Sequence, residues 1–206
     1  QLHATYSTAG KSIGVIPTMG ALHDGHVSLL AKALRECDVV VVTLFVNPTQ
    51  FDESTDFENY PRTNEADCEK MTTAGVDVVF VPSVAEMYPN GSDYSLQEDE
   101  FSRDLCGAHR PGHFTGVLTV VMKLLQIIGA DRAYFGEKDY QQLELIRGMT
   151  KAFFLETEIV PCPTIREPDG LAMSSRNVSL SSEERALAPQ FYAILKSAPD
   201  AAMAAL

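Results

Sequence analysis

Tryptophan is absent, and the four cysteines, Cys37, Cys68, Cys106 and Cys162, lie far apart with no CxxC pair. Such spacing argues against a disulfide framework and against a four-cysteine zinc site, and suits free thiols in a reducing compartment. Basic residues are scarce as well: 16 Lys and Arg stand against 28 Asp and Glu, a formal net charge of −12. Nucleic acid, which needs a basic face to displace counterions, is therefore not an expected partner. A small anion such as a nucleotide remains open, because a few local amides and cations suffice to hold it. Apart from that, the charge needs no more than an acidic, solubilising surface. No apolar run reaches the roughly 20 residues of a membrane span, and the first residues lack a secretory pattern. A cytoplasmic protein without a membrane partner is the expectation. The 206 residues have an ordinary apolar share, and a chain of that length can bury a core without staples.

What the sequence does contain is an alternation of short apolar runs and helix-spaced segments. Residues 12–17 and 39–46 read as buried strands, the second (VVVVTLFV) being apolar throughout, as a strand covered on both faces must be. Between them, Val27, Leu29, Leu30, Ala33 and Leu34 recur at helical spacing over residues 26–36. The pattern repeats as helix 64–74 stopped by Gly75, strand 76–81, apolar helix 116–128 stopped by Gly129, strand 132–135, helix 140–154 and strand 157–161. This alternation predicts an α/β fold, a doubly wound, Rossmann-like parallel sheet with right-handed crossovers. Residues 82–111, rich in Asp, Glu, Ser, Gly and Pro, read as a long excursion outside the sheet. The texture changes again after Asn177, where SSEE at 181–184 resembles a helix start. A Rossmann-like domain over 1–163 and the start of a smaller domain over 164–206 are expected.

Five polar segments fall near the predicted strand ends. PTMGALHDGH at 17–26 joins a strand to a helix, and a helix start offers free amides and partial positive charge to phosphate. His23 and His26 can donate to phosphate oxygens; read alone, they could equally cap the helix or form half of a metal site. FVNPTQF at 45–51 offers the neutral amides Asn47 and Gln50, or simply an Asn-Pro turn. RPGHFTGV at 110–117 brings Arg110 and His113 to the start of the apolar helix, as a site wall or as caps. YFGEKDYQQ at 134–142 supplies Gly136, Lys138, Asp139, Gln141 and Gln142. DGLAMSSRN at 169–177 supplies Ser174, Ser175 and Arg176, suited to clamping the outer phosphates of ATP. Four of the five lie at strand-to-helix switches, where one cleft could gather them.

Taken in order, these blocks, with YPR at 60–62, resemble the pantothenate synthetase (pantoate–β-alanine ligase) family of the HIGH-type nucleotidyltransferase superfamily. PTMGALHDGH is similar to its HIGH-type signature and MSSRN to its KMSKS-type signature, and the likeness runs from about Lys11 to Leu180. The resemblance implies an ATP-dependent ligase that makes pantothenate from pantoate and β-alanine through a pantoyl adenylate, releasing AMP and pyrophosphate. It implies that His23 and His26 meet the ATP phosphates, and that Lys138, Ser174, Ser175 and Arg176 hold the outer ones. Gly136 and Asp139 would face the ribose, and backbone at Met173 and near Ile165 the adenine. Gln50 and Gln142 would grip pantoate, with Pro17 and Met19 lining that pocket. Mg²⁺ carried mainly on the phosphates and a homodimer are implied as well, with no carboxylate cluster claiming the metal. Two departures stand out: the family's longer C-terminal lid domain is expected to be incomplete here, and the 82–111 excursion looks short. A nucleotidyltransferase acting on a phosphate ester would need extra cations near Gln50 and Gln142, where neutral amides stand. A binding module without turnover is the other alternative.

Overall fold

The computed structural model describes residues 10–204, with side chains described through 197. Five strands form one parallel sheet in the order β3-β2-β1-β4-β5. They are β1 (Ile13–Thr18), β2 (Val39–Leu44), β3 (Val78–Phe80), β4 (Arg132–Gly136) and β5 (Glu158–Cys162). The connecting helices are α1 (Asp24–Glu36), α2 (Ser54–Asn59), α3 (Asn64–Ala74), α4 (Val84–Met87), α5 (His113–Ile128) and α6 (Tyr140–Ala152). A final helix, α7 (Ser182–Ala204), follows. The doubly wound sheet expected from the alternation is present, with strand and helix ends displaced by a few residues.

The continuous apolar run of β2 has a direct cause. Val39 and Val41 belong to one core cluster, with α5 and α6, while Val40, Val42 and Leu44 belong to a second, with Leu30 and Ala33 of α1 and Met71 of α3. Successive side chains point to opposite faces, so a strand covered twice must be apolar at every position. Both helix stops read from glycine hold: Gly75 and Gly129 adopt left-handed caps at the ends of α3 and α5.

The sheet opens between β1 and β4. β1 pairs with β2 along its whole length, from Ile13↔Val39 to Thr18↔Leu44, but with β4 only at Gly14↔Arg132 and Val15↔Ala133. Ile13 faces the β4 side, where its carbonyl accepts from Asp131 N, so by alternation Pro17 faces that side too. Proline has no N–H to donate, so the ladder toward β4 cannot continue there. The order of strands reverses at this same point, where doubly wound folds bind ligands beyond the carboxyl ends.

The 82–111 segment lies outside the sheet as expected, yet it is well anchored. Met87 and Tyr88 are buried in the first core cluster. Gln141 of α6 donates to the carbonyls of Phe101 and Asp104, both at 2.7 Å, and accepts from Cys106 N at 3.0 Å. All four cysteines are free, as expected from their spacing, with Cys68 and Cys106 exposed and Cys162 buried.

Candidate active site

The segment between β1 and α1 begins with two consecutive residues at positive φ, Gly20 at 86° and Ala21 at 50°. An alanine in that region is strained, by an amount on the order of 1 kcal/mol, and must be held. Asp67 of α3, wholly buried, does so: its two oxygens accept from Ala21 N and Leu22 N, each at 2.8 Å, and one also accepts from Thr63 Oγ1 at 3.0 Å. Lys70, one turn on, donates to the Leu22 carbonyl. Nothing in NEADCEK distinguishes an inward-facing Asp67 from its solvated neighbours, so this anchor is invisible in the sequence.

The two histidines then cap α1. His23 Nδ1 accepts from Gly25 N at 3.1 Å, and His26 Nδ1 accepts from His23 N at 3.3 Å, a reciprocal capping box. A ring nitrogen that accepts from an amide carries no proton, so in the neutral rings the proton resides on Nε2. Burial holds both below the ordinary histidine range, His26 down to about 3, with neighbouring His23 and Lys138 adding to the effect. Near neutral pH, therefore, the pair are uncharged donors. Capping and ligand contact, alternatives in sequence, are compatible because they use different nitrogens. Among the described residues, no three His, Cys, Asp or Glu side chains cluster to hold a metal.

On the neighbouring strand end, Gln50 is fixed from several sides. Asn47 Nδ2 donates to Gln50 Oε1 at 3.1 Å and to the Gly116 carbonyl at 3.2 Å, and Gln50 Nε2 approaches Met19 Sδ at 3.1 Å. Asn47 Oδ1 accepts from Tyr88 Oη at 2.7 Å and Thr49 Oγ1 at 3.0 Å. Asn47 is thus buried and fully engaged, and it orients Gln50 instead of offering a free amide of its own. Gly116 lets α5 lie against this turn, since a Cβ there would come within 2.7 Å of Gln50 Cα. His113 completes the support. Its Nε2 faces Arg110 Nη1 at 3.2 Å, and a guanidinium only donates, so Nδ1 carries the proton given to the Gln50 carbonyl at 2.7 Å. Burial lowers the His113 pKa and favours this neutral form.

One cleft at the β1/β4 opening is lined by every site residue that the family resemblance implies. Pro17, Met19, His23, His26 and Gln50 lie on one side; Gly136, Lys138, Asp139 and Gln142 come from β4 and the start of α6. Ile165, Met173, Ser174, Ser175 and Arg176 form the third wall. Gln141, adjacent in sequence to Gln142, points away to anchor the excursion. Several polar groups have resident protein partners. Lys138 Nζ pairs with Asp139 at 3.2 Å, Ser174 Oγ accepts from Arg176 N at 3.3 Å, and Ser175 Oγ meets Tyr60 Oη at 3.1 Å. Arg176 is held by Asp56, and this pairing raises its pKa further. Asp67, Asp56 and Gln141 are the site-shaping residues whose role sequence reasoning missed.

Comparison with known proteins agrees with this geometry. The family description Pantoate-beta-alanine ligase matches residues 1–205. The chain is similar to a pantothenate synthetase of Roseobacter denitrificans, 52% identical over 94% of this chain and 68% of the relative. It is also similar to one of Alcanivorax borkumensis, 54% identical over 91% and 66% respectively. It thus spans about two thirds of the length of these curated relatives. Among solved structures, a pantothenate synthetase from Thermus thermophilus aligns with a TM-score of 0.90 at 47% identity, over 94% of this chain and 71% of that one. Pantoate-beta-alanine ligase from Francisella tularensis, complexed with beta-gamma ATP and β-alanine, aligns at 0.89 and 46% identity, over 95% and 76%. A tyrosyl-tRNA synthetase from Archaeoglobus fulgidus, at 16% identity and a TM-score of 0.56, shares the fold alone. The chain belongs to the pantoate–β-alanine ligase family.

Proposed function

We propose that the chain is an AMP-forming ligase that joins pantoate to β-alanine through a pantoyl adenylate. The observation that carries this reading is the placement of the neutral amides of Gln50 and Gln142 in one switch-point cleft with Lys138, His23, His26 and the start of α1. Neutral amides can orient a hydroxy acid without stabilising its carboxylate so strongly that it ceases to be a nucleophile. Cations and Nε2–H donors opposite neutralise the charge that develops on phosphate. The Francisella relative complexed with beta-gamma ATP and β-alanine supports the same substrate class.

In the first step a pantoate carboxylate oxygen attacks the α-phosphorus, the bond to the bridging oxygen breaks, and pyrophosphate leaves with the electron pair. In the second, the β-alanine nitrogen attacks the acyl carbon, the bond to the adenylate oxygen breaks, AMP departs and the nitrogen loses its proton. No protein nucleophile is required, so the rate comes from positioning and fixed electrostatics. His23 and His26 present Nε2–H to the transferring phosphate at fixed orientation, because their other nitrogens are locked on backbone amides at the start of α1. Lys138, Ser174, Ser175 and Arg176 meet the outer phosphates, Gly136 and Asp139 the ribose. At the adenine end, Met173 N–H already donates to the Ile165 carbonyl at 3.0 Å. Base contacts therefore fall to Ile165 N–H and the Met173 carbonyl. Pro17 and Met19 line the pantoate pocket.

Magnesium fits this wall as a cation carried on the nucleotide phosphates: among the described residues, Asp139 is the only acidic side chain lining the cleft, and it is paired with Lys138. When bound it supplies neutralising charge to the phosphates. A Rossmann-like unit over 1–163 followed by a smaller unit over 164–206, a homodimer and a cytoplasmic location complete the proposal on the strength of family resemblance.

The test is incubation with ATP and pantoate, with and without β-alanine, following pyrophosphate and AMP. Pyrophosphate formation should depend on pantoate, and AMP release on β-alanine. His23→Ala and Lys138→Ala should each slow adenylate formation by roughly 100-fold, about 3 kcal/mol. Pantoate-independent pyrophosphate release, or wild-type rates in both variants, would sink the reading.

A further inference from the structure

The cleft mouth carries an ion pair whose carboxylate, Asp56, the reaction scheme leaves unused. Arg176 Nη2 lies 2.8 Å from Asp56 Oδ2 and Arg176 Nε 3.2 Å from Asp56 Oδ1, a two-pronged grip. The pair joins the loop before α7 to α2, two segments far apart in sequence. Beside it, Tyr60 Oη meets Ser175 Oγ at 3.1 Å, and the Arg176 guanidinium lies 5.2 Å from the Tyr60 ring and 6.0 Å from that of Phe51. Ser175 and Arg176, two of the four phosphate-wall side chains, thus each have a protein partner drawn from residues 56–60. The pair is also placed to exchange, since its side chains remain 45% and 34% exposed. Exposed pairs are weak, whereas a buried pair would be hard to part.

We propose that Asp56 is a positioning residue that stands in for phosphate on Arg176. Its two oxygens present to the guanidinium the fork that two phosphate oxygens would present. The carboxylate keeps Arg176 at the cleft mouth when no triphosphate is bound, yields it to ATP, and takes it back as pyrophosphate leaves. The aromatic faces of Tyr60 and Phe51 give the guanidinium a platform in both states. The consequence is a moderated grip: a ligand that must displace a resident partner binds more weakly by the fraction of Arg176 that is free. Pyrophosphate and ATP, which both draw on Arg176, are weakened by the same factor, and pyrophosphate release is eased. The inference rests on the proposed role of Arg176 as a phosphate ligand.

Calorimetric binding of pyrophosphate, ATP and AMP, without pantoate, tests it. Asp56→Asn should tighten pyrophosphate and ATP roughly three- to fivefold and leave AMP unchanged; Asp56→Ser should follow the same order, with urea unfolding of both variants confirming the fold. Two controls separate a clasp from a general loss of negative charge. Glu53→Gln removes a neighbouring carboxylate that forms no ion pair or hydrogen bond with Arg176, whose carboxylate partner is Asp56, and should change nothing. In an Arg176→Ala background, Asp56→Asn should also change nothing. The inference is overturned if Asp56→Asn leaves pyrophosphate affinity unchanged or weakens it, or if the tightening persists without Arg176. Equal tightening with Glu53→Gln, or an Arg176→Ala variant that binds pyrophosphate like wild type, overturns it too. Absence of pantoate-dependent pyrophosphate formation would refute the ligase reading while leaving these binding outcomes decisive.

Discussion

Gly116→Ala sets a helix-propensity gain against a steric loss at the turn that carries Gln50. In a helix interior, alanine is favoured over glycine by about 1 kcal/mol. At this position the new Cβ would stand 2.5 Å from the Thr49 carbonyl carbon and 2.7 Å from Gln50 Cα. Carbon atoms prefer about 3.5 Å or more, so α5 and the turn must part by about 1 Å. Both are backbone in a packed interior, and overpacking of this kind costs about 1–3 kcal/mol. The Asn47 bond to the Gly116 carbonyl is stretched as well, a loss of about 1 kcal/mol. The steric side wins, by roughly 1–3 kcal/mol net. Because Gln50 shifts with the turn, the pantoate KM should rise by about 10- to 100-fold, while ATP affinity stays within about twofold of wild type. Urea unfolding, pantoate saturation of pyrophosphate release, and ATP calorimetry give the three readouts. A variant as stable as wild type with an unchanged pantoate KM would refute the reasoning.

Asp67→Asn keeps the shape of the loop anchor but turns one acceptor into a donor facing a backbone amide. It should destabilise the fold by about 2–3 kcal/mol and weaken ATP binding more than pantoate binding, measured by urea unfolding and calorimetry; unchanged ATP affinity would count against the anchoring role. The pH dependence follows from the buried histidines. His26 stays neutral in the folded state down to about pH 3, whereas the unfolded chain protonates it near 6.5, so the unfolded state binds more protons as pH falls below that value. The stability present above pH 6.5 is lost on acidification, by about 2 kcal/mol between pH 7 and 5 from this residue alone. His26→Gln, which can still complete the capping box, should lose correspondingly less over that interval in urea unfolding at the two pH values; equal losses would refute the assignment.

Much of the fold was legible because each strand and helix announces itself locally. The fully apolar β2 run required cover on both faces, and Gly75 and Gly129 stopped their helices where expected. The site was legible for a related reason: strand ends on a parallel sheet share one edge, so polar blocks at those ends converge in any doubly wound fold. What stayed hidden involves contacts between elements distant in sequence. Asp67 reaches back to Ala21 and Leu22, Asp56 reaches across to Arg176, and Gln141 ties down the 101–106 segment. Each is a polar residue among polar neighbours, and neither helical periodicity nor motif spacing marks which of them points inward.

The sequence by itself therefore determined the alternation of elements and the edge on which the site lies, because periodicity and turn chemistry are local properties; the set of residues lining the site came from the family resemblance of its motifs. The tertiary structure alone decided where the sheet opens, through Pro17 facing β4; which nitrogen of each histidine is left to donate; and which protein groups hold Gln50 and Arg176. Those depend on where other elements pack, and long-range packing sets the orientation and proton position of side chains that local sequence leaves free.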